Sequence, residues 1–204
     1  MTEAVPATGV GCLDCGAPRV SQFVCPECGV LSDIPVDPFT IFGLTRSWAV
    51  DPTLLEERYD LLSRAVREKS AGRQEAEHKV PAAVEALEVA RRQLLDPFER
   101  GRYLLTAYGG SEREKPARKR EFQSEVMEID AAAVTARRDG ESARLAAVLL
   151  EAEEKIASTI VAAGQSFTRL ERSLVEELGA AADALAEARL WRRKVDELRA
   201  KLGG

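Results

Sequence analysis

The fold class is decided by the stretch DPFTIFGLTRSWAVDPTLLEERYDLLSRAVREKS, residues 37–70, which contains two helix starts. Its first part predicts a short helical turn with both phenylalanines facing inward. Asp51 can then cap a longer helix that begins at Pro52, because the carboxylate accepts a backbone N–H and proline has none to lose. Apolar residues follow at steps of three and four, so we predict an amphipathic helix over about 51–69.

The remainder of the chain continues the helical pattern. A second helix is predicted over about 78–95, a short one follows Asp96-Pro97, and Gly109-Gly110 ends it. After a charged hinge, the sequence predicts three amphipathic helices, over about 117–138, from near Gly140 onward, and over about 180–202. Helices joined by short turns pack as an antiparallel bundle, so the predicted fold class is mainly α.

All the cysteines lie near the start of the chain in the pattern C-x2-C-x9-C-x2-C, with a glycine after each pair. They are Cys12, Cys15, Cys25 and Cys28. Four thiolates at this spacing suit a closed tetrahedral zinc site, which is structural and leaves no position open for catalysis. Two disulfides or a thioredoxin-like redox pair are the alternative readings of the cysteines. We therefore expect a small zinc ribbon, with rubredoxin-type iron as the other candidate metal.

Composition argues against several functional classes. The chain has 204 residues and a net charge of −5, whereas nucleic-acid binders are usually basic. No apolar run is long enough for a transmembrane helix, and residues 1–10 show no signal-peptide pattern, so we expect a cytoplasmic protein with no membrane partner. The sequence has one histidine, His78, and no phosphate-binding loop, so we expect no enzymatic activity.

Several segments, together with the cysteine pattern, resemble the HscB-type J-domain co-chaperones of iron–sulfur cluster assembly. These segments are DPFTIFGL (37–44), the helix ending LLSRA (61–65), LLDPFERGRYLL (94–105), FQSEVMEID (122–130) and LGAAADALAEARLW (178–191). The resemblance covers nearly the whole chain. It implies three parts: a four-cysteine zinc ribbon over 10–32, a J-domain-like helical hairpin over 37–110, and a C-terminal three-helix bundle over 117–202.

The resemblance also implies a function. Proteins of this family bind an IscU-like scaffold that carries a nascent iron–sulfur cluster, and they deliver it to a DnaK/HscA-type chaperone whose ATP hydrolysis they trigger. The second helix of a J-domain presents a basic face to the chaperone. The corresponding positions here are Arg58, Arg64, Arg67 and Lys69. The positions that correspond to scaffold contacts on the bundle are Phe122, Met127, Glu128 and Leu190.

One J-domain element is missing from the sequence. J-domains carry His-Pro-Asp in the loop after the second helix, but this chain has AVREKSAG at that place (65–72) and no His-Pro-Asp anywhere. The tripeptide is a loop element, so the J-fold can form without it. Because the tripeptide is absent, the resemblance does not imply that this chain stimulates ATP hydrolysis by the chaperone. The alternative functions are a degenerate J-protein that binds or tethers partners without stimulating hydrolysis, and a zinc-ribbon helical adaptor near the transcription or translation machinery.

Overall fold

The computed structural model describes residues 11–70, 77–117, 119–171 and 177–202, and these residues are mostly helical. Their α-helices are α1 Pro38–Phe42, α2 Pro52–Arg64, α3 Val80–Leu95, α4 Pro97–Ala107, α5 Lys119–Arg138, α6 Ser142–Glu171 and α7 Glu177–Leu202. A π-helical turn, Ala65–Ser70, continues α2, and a 3-10 turn, Glu77–Lys79, precedes α3. Within these ranges, β-structure is limited to two isolated bridges, Gly11–Pro18 and Val24–Leu31. The prediction of a mainly α fold is confirmed.

The helices begin where the sequence places caps. Asp37 and Asp51 each accept backbone N–H groups of the following turn, and proline occupies the first helical positions. Asp96 does the same at the start of α4. The predicted helix over 51–69 is α-helical only as far as Arg64, and Ala65–Ser70 form the wider π-turn.

The chain divides into two compact units, and the division falls between Arg100 and Gly101. In the first unit, α1, α2 and α3 pack against one another. The buried side chains of these helices include Phe39, Phe42, Leu55, Leu62, Leu87 and Leu94. Phe23 and Val24 are buried as well, so the four-cysteine segment contributes to the interior of this unit.

The second unit contains α5, α6 and α7, of which α6 and α7 share the most extensive contact. Its core includes Ile129, Ala133, Ala136, Leu145, Val148, Ala152, Trp191, Val195 and Leu198. The predicted seam of α5 is part of this core, with Ile129 and Ala133 buried and Phe122 and Val126 packed against them. The three-part division at 10–32, 37–110 and 117–202 stays a prediction. None of the helices in the described ranges combines the length and apolar composition that a membrane span requires.

Candidate metal centre and partner surfaces

The four cysteines lie on two tight turns of the same shape. In the first knuckle, Cys12–Gly16, the N–H of the glycine donates to the carbonyl of the first cysteine at 2.7 Å. The same bond closes the second knuckle, Cys25–Gly29, at 2.9 Å. Both glycines have positive φ angles, 74° and 71°, which residues with a Cβ rarely adopt. The repeated C-x-x-C-G pattern therefore has a conformational reason.

The two knuckles bring the four sulfur atoms together. The Sγ atoms of Cys12 and Cys28 are 3.7 Å apart, those of Cys15 and Cys25 are 3.8 Å apart, and all four lie within 4.8 Å of one another. A tetrahedral metal with metal–sulfur bonds of about 2.3 Å requires sulfurs about 3.8 Å apart. The donor set and its spacing therefore fit a closed four-thiolate site, and this cluster can hold a metal ion.

The surroundings act differently on the individual thiols. A hydrogen bond from the backbone of Cys15 lowers the pKa of Cys12 to about 6, whereas burial raises the pKa of Cys28 to about 12. Four neighbouring thiolates also repel one another, so they do not all deprotonate at neutral pH without a compensating charge. A bound metal would supply that positive charge and join the two knuckles, which ties metal binding to the folding of this segment.

Hydrogen bonds connect the four-cysteine segment to α1 and α2. The hydroxyl of Ser21, which is fully buried, donates to the carbonyl of Ile41 at 2.6 Å. The Nη1 of Arg58 donates to the carbonyls of Val20 and Phe42, at 2.9 Å in each case. One guanidinium on α2 thus connects the segment between the knuckles with the end of α1.

The position of Arg58 corrects the predicted basic face. Arg58 is 3% exposed, so its charge is not presented to a partner. Burial also lowers the pKa of its guanidinium. The physical reason for its position is its place on α2, three residues after Leu55 and four before Leu62, both of which are buried. The exposed positions that remain are Arg64, Arg67 and Lys69, which we call the cationic end.

The cationic end is bonded to the second knuckle. The Nζ of Lys69 donates to the carbonyl of Pro26 at 2.6 Å. The hydroxyl of Ser70, which is fully buried, donates to the carbonyl of Gly29 at 2.5 Å. Both side chains belong to the π-turn, which contains the first six residues of AVREKSAG (65–72). The last two residues of AVREKSAG, 71–72, lie outside the described residues.

The predicted scaffold contacts lie on α5 and α7. Phe122 is half-buried and meets Trp191 edge to face, with ring centroids 5.2 Å apart. Leu190, the residue before this tryptophan, is also half-buried. Met127 is 71% exposed, which agrees with its place outside the apolar seam of α5. The contact between Phe122 and Trp191 brings the start of α5 close to the part of α7 that carries Leu190.

Ion pairs on α5 indicate which flank of this helix carries Met127 and which carries Glu128. Asp130 pairs with a lysine of α7 at 2.5 Å, and Met127 lies three residues before it, on the same flank. Glu125 pairs with a lysine of α6 at 2.8 Å, and Glu128 lies three residues after it. By helical spacing, Met127 therefore lies on the flank of α5 that faces α7 and Glu128 on the flank that faces α6. That these residues bind a scaffold together stays a prediction.

An exposed apolar stripe runs along α5 from Met127 to residues that were not predicted. Val134 is 63% exposed and lies seven residues after Met127, with exposed Ala131 between them. Residues spaced i, i+4 and i+7 share one helix face, and we call these three the α5 stripe. Val134 was not among the predicted residues, although it shows the same signal as Met127, an apolar residue outside the buried seam.

No protein-family model matches the chain. The human iron–sulfur cluster co-chaperone protein HscB is 33% identical over 132 residues, which are 58% of this chain and 55% of that protein. The match thus spans about half the length of this curated relative.

Solved structures resemble the chain over a longer range. The crystal structure of human co-chaperone protein HscB superposes with a TM-score of 0.71 at 25% identity, covering 94% of this chain and 98% of that chain. Chaperone HscB from Vibrio cholerae gives a TM-score of 0.64 at 20% identity, covering 81% of this chain and 97% of that one, and this likeness concerns the fold alone.

The fold is therefore that of a helical co-chaperone, with a four-cysteine segment packed onto it. More particularly, the chain has the fold of HscB-type co-chaperones over nearly its whole length and is similar to the human HscB in sequence over 132 residues. The resemblance to this family that was predicted from the sequence is confirmed.

Proposed function

We propose that this protein is a co-chaperone that assists the maturation of iron–sulfur proteins by binding an IscU-like cluster scaffold and a DnaK/HscA-type chaperone. The observation that carries the proposal is its likeness to human HscB, which extends over 94% of this chain. ATP hydrolysis would belong to the partner chaperone, so the chain itself would not be an enzyme. Its proposed compartment is the cytoplasm, where thiols stay reduced and available to a metal.

Zinc is the metal that we propose for the four cysteines. Zinc prefers four-coordinate thiolate sites and has no redox chemistry, which suits a site that only shapes the chain. Iron in a rubredoxin-type site is the alternative. Metal analysis of the purified chain separates the two, since the proposal expects about one equivalent of zinc and a colourless protein.

The cationic end is the proposed contact for the chaperone. Arg64, Arg67 and Lys69 are exposed at the end of α2 and in the π-turn. A partner with an acidic surface would be steered toward these charges, and the steering would weaken at high salt. The α5 stripe is the proposed contact for the scaffold, because a patch of exposed apolar side chains commonly marks a protein interface. Half-buried Leu190 on α7 is proposed as a further part of this contact.

A second candidate function is a J-protein that binds its partners without stimulating hydrolysis. Two observations favour it. The segment AVREKSAG, which by resemblance corresponds to the J-domain loop, lacks His-Pro-Asp. Its Ser70 donates a buried hydrogen bond to the carbonyl of Gly29 within the chain.

Single-turnover ATP hydrolysis by a DnaK-type chaperone, measured with this protein and the cluster scaffold, tests the proposal. The proposed co-chaperone raises the rate, and Arg64→Glu plus Arg67→Glu abolishes the increase. Arg137→Glu plus Arg144→Glu, which changes the net charge equally on α5 and α6, is the matched control and should retain it. Binding of both partners without any increase in rate would establish the second candidate instead.

A further inference from the structure

The two knuckles share one sequence pattern but have different surroundings. A Cβ added to Gly16 would meet no atom within 4 Å, whereas a Cβ added to Gly29 would lie 2.6 to 2.7 Å from atoms of Lys69 and Ser70. Gly16 is exposed and Gly29 is buried. The second knuckle is therefore packed directly on the π-turn, while the glycine of the first knuckle faces open space.

Two hydrogen bonds strengthen this contact. Lys69 and Ser70 donate to the carbonyls of Pro26 and Gly29, at 2.6 Å and 2.5 Å. These carbonyls stand on either side of Cys28, two residues before it and one after it. A change in the shape of this knuckle must therefore move or break both bonds, and it would leave the buried hydroxyl of Ser70 without its acceptor on the knuckle.

We propose that metal binding at the four cysteines and the conformation of the π-turn are linked, so that the cationic end binds an acidic protein surface more tightly in the metal-loaded protein. The metal fixes the second knuckle, the knuckle fixes Lys69 and Ser70, and these set the course of the backbone that carries Arg67. Such a link is reciprocal, so the bond from Ser70 also raises the affinity for the metal. The partner-binding part rests on the proposed co-chaperone function, whereas the link between metal and turn does not.

Gly29→Ala and Gly16→Ala form the matched pair that tests the link. Both place alanine at a positive φ directly after a metal-binding cysteine, but only Gly29→Ala pushes against the π-turn. The Zn²⁺ affinity of the full chain, measured by competition with a chromophoric chelator, should be roughly tenfold to a hundredfold lower in Gly29→Ala than in Gly16→Ala. Equal affinities in the two variants would overturn the proposal.

A milder pair of variants tests the buried bond alone. Ser70→Ala should lower the Zn²⁺ affinity roughly tenfold, while Ser63→Ala, on the preceding helix, should bind Zn²⁺ as the unaltered chain does. In the unaltered chain, removal of Zn²⁺ should also speed hydrogen exchange of the amides in 65–70. Exchange in this turn that is indifferent to Zn²⁺ would contradict the link.

Chaperone binding separates the two parts of the proposal. The Zn²⁺-loaded chain should bind a DnaK-type chaperone roughly tenfold more tightly than the chelated chain, and loaded Ser70→Ala should bind with intermediate affinity. Equal binding by the loaded and chelated forms would overturn the partner-binding part. No binding by any form would contradict the proposed co-chaperone function, whereas the Zn²⁺ affinities and exchange rates would still test the link.

Discussion

The guanidinium of Arg58 is buried where the four-cysteine segment meets the end of α1, and it donates to two backbone carbonyls. A buried polar group that loses its partner costs about 1 to 3 kcal/mol. Arg58→Met keeps much of the side-chain volume but removes the donor from both carbonyls. We therefore expect the free energy of unfolding of the first unit to fall by about 2 to 4 kcal/mol. Hydrogen exchange of α2 amides in increasing urea measures this loss.

Arg64→Met is the matched control, because Arg64 is exposed on the same helix, and it should leave the stability nearly unchanged. Equal losses in the two variants would show that the bonds of Arg58 do not stabilise the unit. The buried position of Arg58 was partly predictable, since helical spacing places it beside Leu55 and Leu62. Its positive charge nevertheless suggested an exposed side chain. The acceptor that satisfies this charge, the carbonyl of Val20, lies 38 residues away in the chain and could not be found from helical spacing.

Among the elements, the helices whose first residues are set by a neighbouring capping side chain could be predicted from the sequence. An aspartate followed by proline starts α1, α2 and α4, and each carboxylate satisfies backbone donors within three residues of itself. The π-turn was not predictable from its own residues. The buried bond of Ser70 to the carbonyl of Gly29 spans 41 residues, so the conformation there depends on a distant part of the chain.

The α5 stripe gives a prediction for scaffold binding. Met127→Ala plus Leu190→Ala removes apolar surface from one exposed and one half-buried position on the proposed contact. If an IscU-like scaffold covers this surface with these residues near the centre of the contact, its affinity should fall roughly tenfold or more, since truncation of a hot-spot residue costs over about 1 kcal/mol. Isothermal titration calorimetry with the scaffold measures the affinity.

Leu150→Ala plus Val161→Ala is the control for this prediction. Both residues lie on α6 and are 58% and 60% exposed, so the variant also removes apolar surface, but away from α5 and α7. The control should bind the scaffold with unchanged affinity. Glu128→Ala adds a test of the flank, because a scaffold that contacts only the α7 side of α5 would not respond to it. Undiminished affinity in the Met127 and Leu190 variant would contradict the proposed patch.

At the scale of the whole molecule, each unit has an interior of its own. The cysteine pattern predicted a metal-stabilised segment, and the structure confirms that the four sulfurs can hold a metal. From its sequence, that segment was predicted only to be a small zinc ribbon. Its role in the interior was hidden, because the burial of Phe23 and Val24 depends on packing against other parts of the first unit.

Removal of the metal should therefore disturb the first unit locally and leave the second intact. With a strong chelator and a reductant, we expect amide protection to fall in residues 12–32 and in the π-turn. Without the metal, the four thiols have no charge to hold them together. Protection of α5, α6 and α7 should not change, because the core of the second unit contains no residue of the four-cysteine segment. Circular dichroism should accordingly retain most of its helical signal, and hydrogen exchange of the full chain with and without chelator locates the loss. A cooperative loss of all helical signal on chelation would show instead that the metal stabilises the entire chain.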